Sequence, residues 1–376
     1  MKKLALLLVL AMMLVSLAAC SKSEETETQT KAPETTTETE APADSETESE
    51  TETETEAETE TEEVLPEGKM RSFLTGEIVD TEQAMQRPFA IMTNNIIDAL
   101  PQYGISQASI VYECIVEGDI TRLMTVYEDV SNLTKMGSIR SARHDYLDLA
   151  MDEEAIYCHF GWSYAAENRI KNEGIKTLNG QASYTNLVYY RTTDRYAPHN
   201  VFTNGDMLLA GLEPAGIGTR ELEEGHKGRL KFNAEDTEPE GGFKATDVSI
   251  PFSSRSRVVY DEESKLYLKY QYGTEHIDGE TGEQIKFKNV IIQLADYSAY
   301  IRPDTGTPDP VLQEIQLYGE GKGYYISDGK AVEITWKKKD ANDKTRYYLS
   351  DGSQLKMNVG KTYIAVVPPS YNITFE

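Results

Sequence analysis

Two arginines flank two small residues in the segment Ile139-Arg140-Ser141-Ala142-Arg143, between a short apolar run and a helical pattern. This order predicts that a strand ends at Arg140, that Ser141 caps a helix and that the first helical turn follows. The first turn of a helix presents free N–H groups and the positive end of the helix dipole. Because two guanidinium groups beside such a turn suit phosphate or carboxylate oxygens, the segment predicts an anion-binding site.

The same two arginines are also compatible with a purely structural role. Arg140 and Arg143 could form ion pairs with nearby acidic residues, and such pairs are common in proteins without any ligand. The acids considered for this role are Glu113, Glu117 and Asp148. The sequence therefore leaves anion binding and internal ion pairing open as alternatives.

Other polar side chains stand at the ends of predicted strands. Asn95 closes the first strand, Arg122 opens the third, and Arg191, Arg195 and His199 follow in a loop without apolar periodicity. Ligands of open α/β sheets bind outside the strand ends, so these side chains could meet in one cleft. The predicted ligand-binding set is Asn95, Arg122, Arg140, Ser141, Arg143, Arg191, Arg195 and His199.

The sequence contains none of the short motifs that name a reaction. No Gly-x-Ser-x-Gly, phosphate-loop, dinucleotide, His-Glu-x-x-His or Cys-x-x-Cys pattern occurs. Ser163 with His159 or His199 is a conceivable nucleophilic pair, but it lacks a specific signature. We therefore leave the catalytic residues unknown, predict no cofactor and no metal ligand, and leave open whether the chain is an enzyme.

Strands alternate with helices from residue 87 to residue 218. Strands are predicted at 88–93, 108–116, 120–128, 136–139 and 155–160. Apolar residues at helical spacing predict helices at 144–151, 164–172 and 207–212. This order predicts an α/β or α+β domain over residues 66–218.

The pattern becomes all-β after a Glu- and Gly-rich linker at residues 219–244. Strands are predicted at 257–260, 265–272, 286–294, 311–317, 323–326, 331–337, 346–349 and 362–367. The dipeptides Asp328-Gly329 and Asp351-Gly352 are typical of two-residue hairpin turns. Residues 245–376 are therefore predicted to form an antiparallel β domain.

The first residues have the features of a lipoprotein export signal. Lys2 and Lys3 precede an apolar run at 4–14, and Ala18 and Ala19 lead to Cys20. The apolar run is too short to span a bilayer, so residues 1–19 are predicted to be a signal peptide. Cys20 would become the first mature residue, lipid-modified and anchored on the extracytoplasmic face of the bacterial membrane.

The acidic segment after Cys20 explains most of the chain's net charge of −26. Residues 21–65 contain 17 acidic residues and two lysines among Thr, Ser, Ala and Pro. Such a composition buries nothing and repels itself, which predicts a disordered tether over residues 20–65. Residues 66–376 carry only −13, and this mildly acidic body argues against nucleic-acid binding.

Two cysteines remain besides Cys20. Cys114 and Cys158 lie in apolar, strand-like runs. A disulfide is possible outside the cytoplasm, but it needs a specific separation of the two Cα atoms. We therefore favour free, buried thiols and keep the disulfide as the alternative.

Several segments resemble the YerB-like family of bacterial lipoproteins, whose two halves are domains of unknown function. The segments that carry the resemblance are 87–95, 106–108 with Tyr112-Glu113, Glu117-Gly118 with Thr121-Arg122, 139–143, Pro198-His199-Asn200 and 360–363. The match covers most of residues 85–370, and Asp119 departs from it where a second small residue is expected. The resemblance implies a two-domain lipoprotein and implies no activity.

A more distant pattern is similar to the LytR-type phosphotransferases, which transfer glycopolymers to peptidoglycan. The common order is a strand, an Ala-rich strand opening, a hairpin and a strand end that carries arginine. The resemblance would assign cationic roles to Arg122, Arg140, Arg143 and Arg195 and an acidic role to Glu113 or Asp145. The paired metal-binding aspartates of that family are not evident here, which weakens the enzyme hypothesis.

Three functions follow as hypotheses. The leading one is a non-enzymatic, lipid-anchored envelope protein that binds an anionic envelope ligand or a partner protein. The second is a phosphotransferase or hydrolase of envelope polymers that uses the same arginines. The third is a protein-interaction module that regulates cell-wall synthesis, in which the arginines are structural.

Overall fold

Strands from both halves of the chain join in one sheet of eleven strands in the computed structural model, which describes residues 65–376. In spatial order, ten of them are Phe243–Lys244, Lys330–Lys338, Gly319–Ser327, Asn289–Leu294, Thr362–Val367, Ile110–Ile115, Thr121–Tyr127, Phe89–Asn94, Ile156–His159 and Leu178–Asn179. The eleventh, Arg346–Tyr348, pairs with Lys330–Lys338. The predicted signal peptide, Cys20 and nearly all of the tether lie outside the described residues.

The central strands of this sheet are buried on both faces. Phe89 and Ile91 belong to the core on one face, and Ala90 and Met92 to the core on the other. Successive side chains of a strand point to opposite faces, so both faces must be covered by other elements. This double burial explains why Phe89–Asn94 has a continuous apolar run rather than an alternating pattern.

A second sheet of six strands covers one face. Its strands are Thr274–Glu275, Leu266–Gln271, Ser256–Asp261, Asp247–Ile250 and Thr374–Phe375, with Lys286–Phe287 paired to Leu266–Gln271. Alternate side chains of this sheet, including Val248, Val258 and Tyr267, pack in the same core as Phe89. The positions between them, such as Arg257 and Tyr270, are partly or fully exposed, as expected for an antiparallel sheet with one solvated face, whereas the polar Lys269 and Gln271 are buried.

Helices cover the other face. The helix His144–Asp152 packs Tyr146, Leu147 and Leu149 into the core with Met92, and the helix Tyr164–Asn172 lies beside it. Both confirm the helices predicted at 144–151 and 164–172. The shorter helices are Thr81–Ala84, Thr185–Val188 and Gly205–Ala210, with 3₁₀ turns at Ile97–Ala99 and Ile105–Gln107.

Four small sheets complete the described part of the chain. They are Lys69–Arg71 with Ile78–Asp80, Met136–Gly137 with Val201–Thr203 and Tyr190–Arg191, Lys231–Phe232 with Lys356–Met357, and Tyr297–Ile301 with Pro308–Ile315. The fold class is confirmed, because the first half mixes helices with sheet and the C-terminal region is built of antiparallel strands. One pair in that region, Asn289–Leu294 with Thr362–Val367, is parallel.

The segments predicted as two domains share the large sheet. Ile110–Ile115 pairs in parallel with Thr362–Val367, so the chain's two halves meet at the centre of the sheet. The segment predicted as a linker carries the strands Lys231–Phe232 and Phe243–Lys244 and the buried Arg229. Residues 65–376 belong to one compact unit. The predicted domains at 66–218 and 245–376 therefore share one sheet, and the structure does not test whether either of them folds alone.

Several local predictions differ from the structure, including the helix predicted at 207–212, which spans Gly205–Ala210, and the three described next. Ser141 is not the helix cap: Arg143 occupies that position without a side-chain cap, and the Ser141 hydroxyl donates to the Phe160 carbonyl at 3.2 Å. Asp351-Gly352 lies in a longer turn, since the Leu349 N–H donates to the Ser353 carbonyl at 2.9 Å. The strand predicted at 286–294 breaks at Lys288, so that its two parts enter different sheets. Asp328-Gly329 is a two-residue turn as predicted, because Ser327 pairs with Lys330.

Both remaining cysteines are free and buried within residues 65–376, which confirms the prediction of free thiols. Burial raises the pKa of each thiol above its ordinary value. In this part of the chain, no helix combines the length and the apolar character needed to cross a bilayer.

Candidate functional site

Three of the predicted arginines meet around one carboxylate. Arg143 forms an ion pair with Glu117 through Nη2 and Oε1, and the Arg122 Nη2 atom lies 3.7 Å from Glu117 Oε2. The Arg140 side chain interacts electrostatically with the side chains of Arg122, Arg143 and Glu117. We call Arg122, Arg140, Arg143 and Glu117 the arginine cluster.

The backbone holds Arg140 at the carboxyl ends of two parallel strands. The Arg140 N–H donates to the Met92 carbonyl at 2.8 Å, and its own carbonyl accepts from the Phe160 N–H at 3.0 Å. Met92 belongs to Phe89–Asn94, which pairs in parallel with Ile156–His159 just before Phe160. Ligands of α/β sheets collect outside such strand ends, which is where the sequence predicted this site.

The arginine cluster carries a formal excess of two positive charges. Burial lowers the pKa of Arg122 to about 9, with a further contribution from Arg143, so this guanidinium stays charged at neutral pH. Burial also lowers the pKa of Arg140. Burial would raise the pKa of Glu117, but Arg122 and Arg143 outweigh it and hold that pKa below its ordinary value. One ionised carboxylate thus faces three guanidinium groups.

Several buried polar atoms of this region have no hydrogen-bond partner among residues 65–376. They include the Nε atoms of Arg140 and Arg143, Glu117 Oε2, Ser138 Oγ and both ring nitrogens of His144. The Tyr157 hydroxyl lies in the field of Arg122 and Arg143 and has no acceptor for its own proton. A buried polar group without a partner is costly, so this concentration points to a ligand or water that would satisfy it.

The carbonyl groups of the turn before the helix compensate part of the charge. Arg122 Nη1 donates to the Ser141 carbonyl at 2.5 Å, and Arg143 Nη1 donates to the same carbonyl at 3.2 Å and to the Ala142 carbonyl at 2.8 Å. These bonds fix the two guanidinium groups without neutralising them. The first turn of His144–Asp152 begins directly beside them.

His199 lies next to the arginine cluster. Its Nδ1 accepts from the Asn94 side-chain amide at 2.8 Å, with the amide oriented to donate. Partial burial, Arg140 and Arg195 lower the pKa of His199, and Asp98 opposes them. A neutral imidazole that accepts at Nδ1 carries its proton on Nε2, which leaves Nε2 as a donor. His199 can therefore add a neutral hydrogen bond to the cluster.

Arg191 and Arg195 hold the loop that carries His199. Arg191 lies over the Phe160 ring at 4.8 Å and donates to the Asn200 side chain at 2.7 Å. Arg195 donates to the Ala99 and Pro101 carbonyls at 2.8 and 2.9 Å. In the described part of the chain, neither forms a hydrogen bond or ion pair with the arginine cluster. Their positions favour a role in loop structure.

Asn95 belongs to a different, fully buried network. Its amide donates to Glu113 Oε1 at 3.1 Å and to the Thr121 hydroxyl at 2.9 Å. Glu113 is 0% exposed and also accepts hydrogen bonds from the side chains of Thr121, Ser254, Ser256 and Tyr363. The Lys269 ammonium lies 3.6 Å from Glu113 Oε2. The structure thus separates Asn95 and Glu113 from the arginine cluster.

The conceivable Ser163–His159 pair is not formed. His159 donates from Nδ1 to the Gly161 carbonyl at 2.7 Å and contacts the Thr177 hydroxyl through Nε2 at 2.9 Å. The Ser163 hydroxyl caps the helix Tyr164–Asn172 by accepting from the Ala166 N–H. Burial lowers the pKa of His159 to about 4, so its ring is neutral. Residues 65–376 contain no group of three or more His, Cys, Asp or Glu side chains arranged to hold a metal ion.

Among the acids considered as partners for the arginines, only Glu117 has that role. Asp148 instead pairs with Arg169 at 2.7 Å, and Glu113 lies beside Lys269. The residues that sequence reasoning missed are Tyr157 and His144, whose side chains add unpartnered polar atoms to the region. Tyr157 lay inside a predicted apolar strand, and no local pattern distinguishes such a tyrosine from a core residue.

Two family models match the chain. Residues 74–218 match the N-terminal domain of a protein of unknown function (DUF3048), and residues 248–364 match the C-terminal domain. The chain is 28% identical over 303 residues to YerB of Bacillus subtilis (strain 168), which is named as a lipoprotein, covering 80% of this chain and 87% of YerB. A crystal structure of the YerB protein from Bacillus subtilis matches with a TM-score of 0.69 at 26% identity, covering 81% of this chain and 100% of that one. The chain therefore belongs to the YerB-like family, with its paired DUF3048 domains of unknown function.

Proposed function

We propose that the chain is an exported lipoprotein, anchored through Cys20 on the extracytoplasmic face of the bacterial membrane, and that its arginine cluster binds an anionic ligand of the cell envelope. The signal-peptide pattern before Cys20 and the name given to the Bacillus subtilis relative support the anchor. The ligand-binding role rests on the arginine cluster. A partner protein could supply the anionic group through an acidic or phosphorylated side chain.

The observation that carries the binding role is the imbalance of charge. Arg122 and Arg143 contact the carboxylate of Glu117, and Arg140 adds a third positive charge that acts electrostatically on this group. The Nε atoms of Arg140 and Arg143 lack a hydrogen-bond partner in the described part of the chain. A purely structural set of ion pairs would bring more carboxylates to these arginines, because buried charges are paired in stable proteins. An incoming phosphate or carboxylate would supply the missing negative charge and accept from the free N–H groups.

Anchoring predicts a clear result for a Cys20→Ala variant. The acyl chains supply the membrane affinity, so the variant should remain uncleaved or be released, while the folded body stays unchanged. Fractionation followed by mass spectrometry of the membrane fraction measures this. A native protein whose Cys20 carries no lipid would contradict the anchor.

Anion binding predicts that sulfate or pyrophosphate raises the Tm of the full chain. An anion that binds only the folded state stabilises that state in proportion to its concentration relative to Kd. Arg140→Ala and Arg143→Ala should each remove most of the shift, whereas lysine at either position should keep part of it, since charge remains without the guanidinium fork. Thermal denaturation at several anion concentrations and constant ionic strength is the measurement.

The exposed Arg302 supplies a matched control, because its ion pair is with the exposed Asp304 and it lies outside the arginine cluster. Arg302→Ala should respond to anions like the unchanged chain. If the arginines were only structural, each cluster variant would lose roughly 3–5 kcal/mol without any anion present and show an unchanged anion response. That outcome would reject the binding role.

A further inference from the structure

A second site of positive charge lies away from the arginine cluster, in a cavity of about 530 Å³. Its walls come from the 3₁₀ turn Ile105–Gln107, the turn before Leu266–Gln271, the strand Lys286–Phe287 and the segment 359–361. Four lysines line it, namely Lys265, Lys286, Lys288 and Lys361. The volume lies within the range of small-molecule sites, roughly 300–1,000 Å³. We call this cavity the lysine cavity.

The four lysines differ in how far their charges are compensated. Lys288 is held by Asp236 and Asp328 at 2.8 and 2.7 Å. Lys361 donates to the Ser106 carbonyl at 2.5 Å. Within residues 65–376, Lys265, Lys286 and Lys361 form no ion pair with a carboxylate. Three ammonium groups that lack such an ion pair in this part of the chain therefore line one cavity, together with the acids Glu77, Asp236 and Glu283.

The backbone at Gly360 brings Lys361 close to Lys288. Gly360 has a φ of 139°. A Cβ added at Gly360 would lie 2.7 Å from the Lys288 Cβ, so the chain passes Lys288 at a distance that only glycine allows. Burial lowers the pKa of the adjacent Lys361, and Lys286 lowers it further while Glu77 and Asp278 oppose. An incoming anion would relieve this repulsion between ammonium groups.

We infer that the lysine cavity binds a small phosphate-bearing ligand with a polar, hydroxyl-rich body. Ammonium groups bind phosphate as point charges, and Lys265, Lys286 and Lys361 would supply that charge. The Gln107 amide in the wall offers a donor and an acceptor for hydroxyl groups. The acids Glu77 and Glu283 on the same wall limit the ligand to a small number of negative charges. The ligand class is therefore a polyol or sugar phosphate, free or as a lipid headgroup.

The test uses isothermal titration of the full chain with glycerol 3-phosphate, with glycerol as the neutral probe. The chain should bind glycerol 3-phosphate and not glycerol. A Lys265→Gln/Lys286→Gln variant should raise the Kd at this site by about tenfold or more. The matched control is Lys322→Gln/Lys339→Gln, which removes the same charge from two exposed positions outside the cavity.

Further variants and probes distinguish this site from the arginine cluster. They also distinguish a free polyol phosphate from a lipid headgroup as the ligand. The Arg143→Ala variant should bind glycerol 3-phosphate at the lysine cavity as the unchanged chain does. The two binding proposals are therefore tested independently of each other. Binding to phosphatidylglycerol vesicles that depends on Lys265 and Lys286, without binding of free glycerol 3-phosphate, would assign the site to a lipid headgroup. Equal binding of both probes by the lysine variant and its control would overturn the inference.

Discussion

Replacing Glu113 with glutamine is expected to lower the free energy of unfolding by about 3–5 kcal/mol, the usual cost of breaking a buried ion pair from one side. Glu113 is completely buried and accepts from the Ser254, Ser256 and Tyr363 hydroxyls, each at 2.6 Å. Burial would raise the pKa of Glu113, but Lys269 and these donors outweigh it and keep the group ionised. A glutamine removes the negative charge that balances Lys269. Its NH₂ group would also point at hydroxyl groups that now donate to the carboxylate.

Urea denaturation of the full chain measures this loss. The matched control is Glu320→Gln, since Glu320 forms an exposed pair with Lys337 at 3.4 Å. Exposed pairs contribute little, so the control should stay within about 0.5 kcal/mol of the unchanged chain. Adding Lys269→Met to Glu113→Gln should recover part of the loss, because the lysine then no longer lacks its counter-charge. A Glu113→Gln variant as stable as the control would show that the network adds nothing to the fold.

Residues 66–218 produced alone are expected not to fold cooperatively. The strand Ile110–Ile115 would lose its partner Thr362–Val367 and expose a bare edge at the centre of the sheet. The core face formed by Phe89 and Ile91 would lose the second sheet that covers it. Three buried acids would also lose their cationic partners, which pair as Glu113 with Lys269, Asp152 with Lys338 and Glu153 with Arg229.

Near-ultraviolet circular dichroism and denaturant titration of residues 66–218 and of residues 66–376 test this expectation. The longer chain should show a single sharp transition, and the shorter one should lack fixed tertiary structure. Mixing residues 66–218 with residues 219–376 should restore part of the signal, because the missing strand and cations return. A cooperative transition of the short chain at the midpoint of the long one would show that the two halves fold independently.

Local sequence patterns predicted the two longest helices and most long strands of the large sheet, but they missed strands such as Ile78–Asp80, Asp247–Ile250 and Tyr297–Ile301. Apolar spacing predicted the helix His144–Asp152 to within one residue at its end, and the helix Tyr164–Asn172 with both of its ends. The capping serine was misplaced because the chain at Ser141 stays extended, and its hydroxyl reaches the Phe160 carbonyl. The isolated bridges Thr93–Ile139 and Ala142–Trp162 hold the chain on both sides of Ser141, and these contacts outweighed the local preference of serine for a helix cap.

The candidate site was predicted in part. The spacing of Arg140 and Arg143 predicted an anion site, which stays a prediction, and the structure brings Arg122 and Arg143 together at Glu117. Asn95 stands at a strand end and Arg195 in the loop predicted to line the same cleft, yet their hydrogen bonds go to Glu113 and to the Ala99 carbonyl. The position of a residue at a strand end can be predicted from the sequence. The groups that its side chain contacts cannot, because they depend on which segments pack beside that strand.

The sequence by itself determined the export pattern around Cys20, the acidic character of the tether, most of the longer strands and helices, and the family resemblance. These depend on composition, spacing and short motifs, all of which are local. Only the tertiary structure decided that Ile110–Ile115 pairs with Thr362–Val367, and that Glu113 meets Lys269. Such partners lie more than 150 residues apart in the chain. Their contact follows from the burial of both faces of one large sheet, which no local pattern records.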